Sequence, residues 1–372
     1  MSWRWQTLMD ARPAPGRPAE RERARGVPAG PRSTSGPRRL VRWGFALLLA
    51  AVTLGLSLRE VRWQGLGAAL SQTDLLLVFA SLGIVLLTTV AKAIRWRILL
   101  QPCQVKVSLP RLVRILLIGQ MGNSFLPMRL GDLGRAVLLG PQAAGGSTAV
   151  LGTIVVEKAF DGVMGLVVLV GLAVAVPLPT WIRQPMVALA LVTGVLLLLL
   201  VVAARRGARG VWLFTPLTRW LPASWRARIE QLVPALTSGF SLLKSGPATA
   251  LALTASAAIW GLAGLTNVTA LGALGIDAPG WSVWLVLVTG YVATFLPAIP
   301  AHVGVFEYAC VLALTSAGVS PEQALAFALV LHLLVYGPPA ILGPISMGLE
   351  GLNWESVESA HQEPSARSRL GT

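Results

Sequence analysis

Four polar and charged side chains follow one another closely in a segment that is otherwise apolar. Asn123, Arg129, Asp132 and Arg135 lie in the run ILLIGQMGNSFLPMRLGDLGRAVLLG. Each arginine presents a planar fork of donors that matches a phosphate group. A charge at the centre of a membrane helix costs about 2.5–3.5 kcal/mol on insertion scales, so an apolar chain that keeps several of them uses them. We interpret this run as a site for an anion.

Two further sets of ionisable residues lie in apolar surroundings. Glu157 and Asp161 are four residues apart in TIVVEKAFDG, which places them on one face of a helix. They could balance the arginines of an empty site or take up protons. His302 and Glu307 follow a second break, in WLVLVTGYVATFLPAIPAHVGVFEYA, and would form a second polar station.

The composition is that of a helical membrane protein. Only 13% of the 372 residues are charged and 54% are hydrophobic, whereas a soluble domain carries about 25% charged residues. Basic residues concentrate in segments 1–42, 92–114 and 205–230, and the other short connections are nearly neutral. The positive-inside rule therefore predicts that these segments and both termini are cytoplasmic, in the cell inner membrane. This topology explains the net charge of +15 better than nucleic-acid binding does.

Six full spans are predicted, at residues 41–58, 75–94, 148–176, 183–204, 247–275 and 321–350. The charge pattern requires that segment 111–146 begin and end on the cytoplasmic side. Its apolar arms are each too short to cross a bilayer, and Pro127 and Gly131 interrupt it. We therefore predict a re-entrant broken helix that lines a cavity. The free N–H groups of a half-helix starting near Asp132 would favour an anion.

A second broken segment with Pro297, Pro300 and Gly304 begins and ends on the outer side by the same reasoning. Two broken segments that enter from opposite faces predict an inverted repeat around a central site. The predicted fold is thus an all-α polytopic membrane protein with eight or more hydrophobic segments. Eight or more ordinary spans are the alternative.

Simpler structural roles remain open for several of these residues. Asp132 is alternatively a helix N-cap, and an arginine paired with Glu157 or Asp161 is alternatively a structural lock. His302 is alternatively a hydrogen-bonded turn residue, and His332 is expected to pack in the core. Lys158 is expected to extend to the cytoplasmic interface, because it does not share the helical face of Glu157.

The domain organisation is simple. Residues 1–40 are predicted to be a disordered basic tail, 41–351 the transmembrane domain, and 352–372 a flexible C-terminal tail. Cys103 and Cys310 have neither a disulfide nor a metal-site spacing. The sequence contains no catalytic or metal-binding motif, so no cofactor is expected.

The motifs IRWRILL, GNSFLPMRLGDLGRAVLL, TIVVEKAFDG and FLPAIPAHVGVFEYA, in this order, resemble the lysylphosphatidylglycerol synthase transmembrane-region family of flippase-like proteins. The resemblance covers residues 41–350 and implies translocation of lipid-linked substrates. It marks Asn123, Pro127, Arg129, Gly131, Asp132, Arg135, Glu157, Asp161, Pro300, Gly304 and Glu307. The family usually has Gly-Gly where this chain has Ala301 and His302, and Glu-Arg at Glu157 and Lys158. The soluble aminoacyl-transfer domain of some members is not expected here.

The leading hypothesis is therefore ATP-independent flipping of an anionic phospholipid or a polyprenyl-phosphate-linked lipid. Its predicted binding residues are Asn123, Pro127, Arg129, Asp132, Arg135, Glu157, Asp161, His302 and Glu307. The alternative is a membrane accessory that docks a glycosyltransferase or another envelope-lipid enzyme. An intramembrane transferase that uses Glu157, Asp161 or Glu307 as acid–base groups is the third hypothesis.

Overall fold

The computed structural model describes residues 36–59, 61–126, 129–177, 180–206, 240–295 and 300–352. Within these ranges the regular structure is entirely helical. The helices are α1 (Gly36–Leu58), α2 (Trp63–Ser71), α3 (Leu75–Leu99), α4 (Leu109–Phe125), α5 (Leu130–Leu139), α6 (Gly146–Ala175), α7 (Arg183–Arg206), α8 (Gly246–Ala273), α9 (Gly280–Ala293), α10 (Val305–Thr315) and α11 (Pro321–Leu349). Short 3-10 turns occur at Gln101–Cys103, Gly140–Gln142, Thr180–Ile182, Phe240–Lys244 and Pro300–His302. Of the predicted tails 1–40 and 352–372, residues 1–35 and 353–372 lie outside the described residues, and residues 36–40 lie in α1.

Five stretches of helix are long and apolar enough to cross a membrane: Leu75–Leu99, Gly146–Ala175, Thr180–Leu198, Gly246–Ala273 and Pro321–Leu349. They coincide with five of the six predicted spans. The predicted span 41–58 falls on α1, in which the described part Leu47–Leu58 is a shorter apolar helix. The all-α polytopic prediction is therefore confirmed.

The end predicted for the second span was wrong. Helix α3 continues to Leu99 rather than ending at residue 94. Lys92 and Arg95 consequently lie inside the helix and do not belong to a cytoplasmic loop. Arg95 is almost fully buried, at 1% exposure, because carboxylates on a neighbouring helix pair with it.

Helices α4 and α5 form a helical hairpin whose arms pack backbone to backbone. A Cβ built on Gly131 of α5 would collide with the carbonyl oxygen of Gly119 and would lie 2.6 Å from the backbone nitrogen of Asn123. Glycine is therefore required where the two arms cross. Helices α9 and α10 form a second hairpin, in which Thr289 Oγ1 donates to the carbonyl of Ala309 at 3.5 Å.

The first hairpin begins and ends at the end of the bundle that carries the basic connections, called here the basic end. Arg111 and Arg114 at the start of α4 donate to Glu350, just after α11, at 2.8 and 2.7 Å. Ala144, which follows α5, donates its N–H to the carbonyl of Cys103 at 2.8 Å. Burial opposes ionisation of Glu350, but the hydrogen bonds from Arg114 and Arg111 outweigh it and lower the pKa of its carboxyl.

The second hairpin begins and ends at the opposite end, called here the neutral end. Asp74 before α3 donates its N–H to the carbonyl of Ala273, at the end of α8, at 2.7 Å. Trp181 between α6 and α7 donates to Ser316, which follows α10, at 3.2 Å. The hairpins thus enter the bundle from opposite ends, as the inverted-repeat prediction requires.

The tips of the two hairpins meet inside the bundle. Arg129, the N-cap residue of α5, donates to the backbone carbonyl of Thr294, the C-cap residue of α9, at 3.2 Å. Each hairpin therefore reaches part of the way across, and the irregular backbone at one tip is covered by the other. This arrangement satisfies the rule that non-helical backbone at membrane depth is buried in protein or lines a cavity.

Helix α11 runs beside both hairpins and is held at each end by an ion pair. At the neutral end Glu322 Oε1 lies 3.0 Å from Arg62 Nε, and at the basic end Glu350 follows its last turn. Three prolines, Pro338, Pro339 and Pro344, lie within the helix. Each removes a backbone donor and weakens the helical hydrogen bonding of its turn.

We expect Gly131→Ala to destabilise the hairpin contact. The new methyl group collides with backbone atoms that cannot rotate away, so the free energy of unfolding should fall by about 1–3 kcal/mol. Gly134→Ala is the matched control, because a Cβ there meets nothing within 4 Å. Thermal unfolding of both variants in detergent checks this. Equal melting temperatures would contradict the close crossing.

The opposite placement of the hairpin ends can be tested by labelling. Cysteines introduced at the exposed Gln142 and at the exposed Asp277, with the buried Cys103 and Cys310 replaced, should react with an impermeant maleimide from opposite sides of the membrane. Labelling of both positions from one side would contradict the topology.

Candidate functional site

A cavity of about 360 Å³ lies where the two hairpin tips approach α3, α6, α8 and α11. Its polar lining includes Lys92, Asn123, Arg129, Lys158, Asp161 and His302. Its apolar lining includes Val85, Ile259, Val286, Leu287, Leu331 and Val335. The same cavity is therefore lined by cationic groups and by a wall of hydrocarbon side chains.

Arg135 is buried within a network of carboxylates beneath this cavity. Its Nη2 lies 2.9 Å from Asp132 Oδ1 and 3.4 Å from Glu157 Oε1. Its guanidinium also lies 4.8 Å from the ring centroid of Trp96, a cation–π contact. The predicted pairing of an arginine of the first break with Glu157 is therefore present. Arg135 and Glu157 are both nearly inaccessible, at 2% and 5% exposure, so this pair is sealed from bulk solvent.

Asp161 pairs with Arg95 instead of with an arginine of the break. Arg95 Nη1 lies 2.5 Å from Asp161 Oδ1 and also donates to Ser256 at 3.0 Å. The sequence interpretation missed Arg95 because it assigned the residue to a cytoplasmic loop. A signal was present: Thr88, Lys92 and Arg95 are spaced four and three residues apart, which is one face of a helix.

Arg129 is held at the cavity by neutral partners. Its Nη2 lies 2.5 Å from Thr294 Oγ1, and its guanidinium stacks 4.2 Å from the centroid of the Phe295 ring. Its backbone has φ 55, in the left-handed region. No carboxylate of the described residues pairs with Arg129. Pro127, the other predicted site residue at this tip, lies outside the described residues.

The alternative role predicted for Asp132 was wrong. Asp132 is the third residue of α5, and its side chain caps no backbone N–H of that helix. Its carboxylate accepts from Asn123 Nδ2 at 3.0 Å, and its own N–H donates to Asn123 Oδ1 at 3.1 Å. Asn123 therefore occupies the position at the start of the half-helix that was predicted for an anion.

The prediction that Lys158 extends to the interface was also wrong. Its ammonium lies 3.4 Å from Glu157 Oε1 and 3.7 Å from Asp132 Oδ2, and the residue lines the cavity. The helical face of Lys158 differs from that of Glu157, but four methylene groups let its side chain curl back to the carboxylates. Attraction to two buried anions outweighs solvation at the interface.

The two residues predicted for a second station have separate partners at the tip of the second hairpin. Glu307 Oε2 accepts from the backbone N–H of Gly304 at 2.6 Å, which caps α10. Glu307 Oε1 lies 2.6 Å from His332 Nδ1 of α11. His332 packs on Phe306 as expected of a core residue, but its contact with Glu307 was not foreseen. Twenty-five positions separate the two, so no local spacing signals the pair.

His302 lines the same cavity from an unusual backbone conformation. Its Nε2 lies 3.3 Å from the carbonyl oxygen of Thr294, the atom that Arg129 also contacts. Ala301 and His302 have φ 59 and 58. The left-handed region costs a non-glycine residue about 1–2 kcal/mol. Glycine would adopt the same conformation at both positions without this cost.

The charges around the cavity do not balance. The cationic members of the two described tips and their neighbours are Lys92, Arg95, Arg129, Arg135 and Lys158, and the anionic members are Asp132, Glu157 and Asp161. Five cations therefore face three anions, or four when Glu307 of the second tip is ionised. Because a buried charge without a partner is costly, this excess favours an anionic ligand.

These features define a class: a polytopic helical membrane protein in which two opposed broken hairpins enclose a cationic cavity. The family model for the Lysylphosphatidylglycerol synthase TM region matches residues 43–343, and the chain belongs to this family. A search of curated proteins finds no match.

Asp161→Asn should destabilise the protein strongly. The amide cannot neutralise Arg95, which is buried and whose other carboxylate contact, Glu157, is 3.7 Å away. Breaking one partner of a buried pair costs about 3–5 kcal/mol. Asp277→Asn, at an exposed position, is the control. Comparable unfolding temperatures of both variants in detergent would show that the Arg95–Asp161 pair carries little of the stability.

Proposed function

We propose that this protein translocates an anionic lipid across the cell inner membrane without ATP, and that it acts as a transporter and not as an enzyme. The lipid would be an anionic phospholipid or a polyprenyl-phosphate-linked lipid. The observation that carries the proposal is the excess of cations around a cavity that also has an apolar wall. Only an amphiphile with a negative headgroup matches both halves of this lining.

In this proposal the headgroup binds among the cations that face the cavity. Arg129 is the best placed of them, because its hydrogen-bond partners at Thr294 are neutral and its charge remains available. Lys158 and Lys92 would add attraction from the sides of α6 and α3. The remaining arginines, Arg95 and Arg135, hold the carboxylates in place and need not touch the lipid.

The contact between the hairpin tips supports a gated path. One hairpin is anchored at each end of the bundle, and Arg129 joins their tips at Thr294. An anionic headgroup competes for Arg129 and so weakens the link between the two hairpins. Inverted repeats that meet at a central site are the usual framework for alternating access. The family assignment supports the same proposal, since the resemblance implies movement of lipid-linked substrates.

Arg129→Gln should slow lipid movement at least about tenfold, the loss of one charge-assisted contact of about 1.5–3 kcal/mol. The measurement is the redistribution of fluorescent phosphatidylglycerol between leaflets of vesicles that contain the purified protein. Arg62→Gln is the control, because Arg62 is 87% exposed at the neutral end. Both variants must retain the unfolding temperature of the parent protein.

Folded Arg129→Gln and Lys158→Gln variants with parental rates would contradict the site assignment. Wild-type protein that binds the lipid but moves none would contradict transport. That second outcome would favour a membrane accessory for an envelope-lipid biosynthetic enzyme.

A further inference from the structure

A buried acid–base pair lies beside the cavity without touching the arginine network. Glu307 Oε1 and His332 Nδ1 are 2.6 Å apart, and their side chains are only 5% and 13% exposed. The second oxygen of Glu307 is already committed to the N–H of Gly304. One oxygen of Glu307 thus accepts a backbone N–H and the other contacts the imidazole of His332. Together Glu307 and His332 form a site for one exchangeable proton.

Aromatic and polar contacts connect this pair to the anion station. The Tyr336 ring lies 4.6 Å from the His332 ring and 5.9 Å from the His302 ring, measured between centroids. His302 in turn reaches the Thr294 carbonyl that Arg129 contacts. Both His302 and Tyr336 line the cavity. The proton site and the anion site are thus two ends of one connected cluster.

Resting on the proposed function, we infer that the Glu307–His332 pair binds a coupling proton and that the anionic lipid moves together with it. Without an exchangeable proton the pair carries one negative charge and repels an anion in the cavity. Uptake of one proton by the pair cancels that charge. The proton therefore favours lipid binding, and by reciprocity the lipid favours proton binding.

The surroundings of the pair are consistent with this role. Cys310 on α10 and Tyr336 on α11 face Glu307, and His302 of the second tip faces His332. Arg129 of the first tip faces His302 and Tyr336. Among the described residues no second carboxylate faces it, so the charge of the pair depends on this one proton. A headgroup with one negative charge and one proton cross together without net charge, which removes the cost of moving an ion through the bilayer.

The experiment measures lipid movement under a pH gradient. The full chain is reconstituted in phosphatidylcholine vesicles with a trace of fluorescent phosphatidylglycerol. One proton per lipid should give a ratio of forward to reverse movement of about tenfold per pH unit, since 1.36 kcal/mol corresponds to one unit. The labelled lipid should accumulate on the less acidic side.

Glu307→Gln should reduce this ratio to one, because the amide keeps an oxygen for the Gly304 N–H but removes the negative charge that the proton cancels. His332→Asn removes the other member of the pair and should have the same effect. It is the variant to measure if Glu307→Gln fails to fold. Glu322→Gln is the matched control on the same helix, since Glu322 pairs with Arg62 at the neutral end. It should retain the wild-type ratio.

Proton uptake gives a second, independent reading. Addition of dioctanoyl phosphatidylglycerol to the purified wild-type protein, in weakly buffered detergent with a pH indicator, should take up as much as one proton per chain. Lipid movement by the wild-type protein that does not depend on the pH gradient would overturn proton coupling and leave the proposed function intact. No lipid movement in any gradient would overturn both. Lipid binding without proton uptake, or a parental ratio in folded Glu307→Gln, would also overturn coupling.

Discussion

Burying a charge in a hydrocarbon environment is unfavourable unless a partner of opposite sign is held close to it. Most of the architecture around the cavity follows from this constraint. Arg95 and Arg135 each find a carboxylate, and those carboxylates come from α6 and from α5 itself. The pairs fix the rotation of α6 against α3 and against the first hairpin. The cations that line the cavity are Lys92, Arg129 and Lys158, of which Lys158 also contacts these carboxylates.

The outline of the fold could be predicted from the sequence because it depends on local patterns. Apolar runs gave the positions of the spans, the uneven distribution of arginine gave their direction, and the Pro–Gly breaks gave the two hairpins. The opposed entry of the hairpins followed from charge alone. The structure confirms it through contacts such as Arg111 with Glu350 at one end and Trp181 with Ser316 at the other.

The detailed pairing could not be predicted, because it depends on which distant side chains meet. Arg95 and Asp161 are 66 positions apart, and only the packing of two helices brings them together. The side chain of Lys158 is long enough to reach either the membrane interface or the buried carboxylates. Local sequence spacing does not indicate which of the two it contacts. Asn123, predicted to contact a ligand, lines the cavity, and its amide bonds the carboxylate and the N–H of Asp132, which the sequence did not indicate. The roles of the predicted site residues stay predictions until lipid binding is measured.

The ion pairs at the two ends of α11 have a mechanical consequence. Because an ion pair holds α11 at each end, sliding of the helix along its axis is opposed, and deformation is favoured between the two pairs. Pro338, Pro339 and Pro344 place the weakest hydrogen bonding in the half of α11 that leads to Glu350, and Pro339 lines the cavity. Bending at these prolines would move the Glu350 end of α11 relative to its Glu322 end. Deformation of α11 is thereby concentrated beside the cavity, in the half that leads to Glu350.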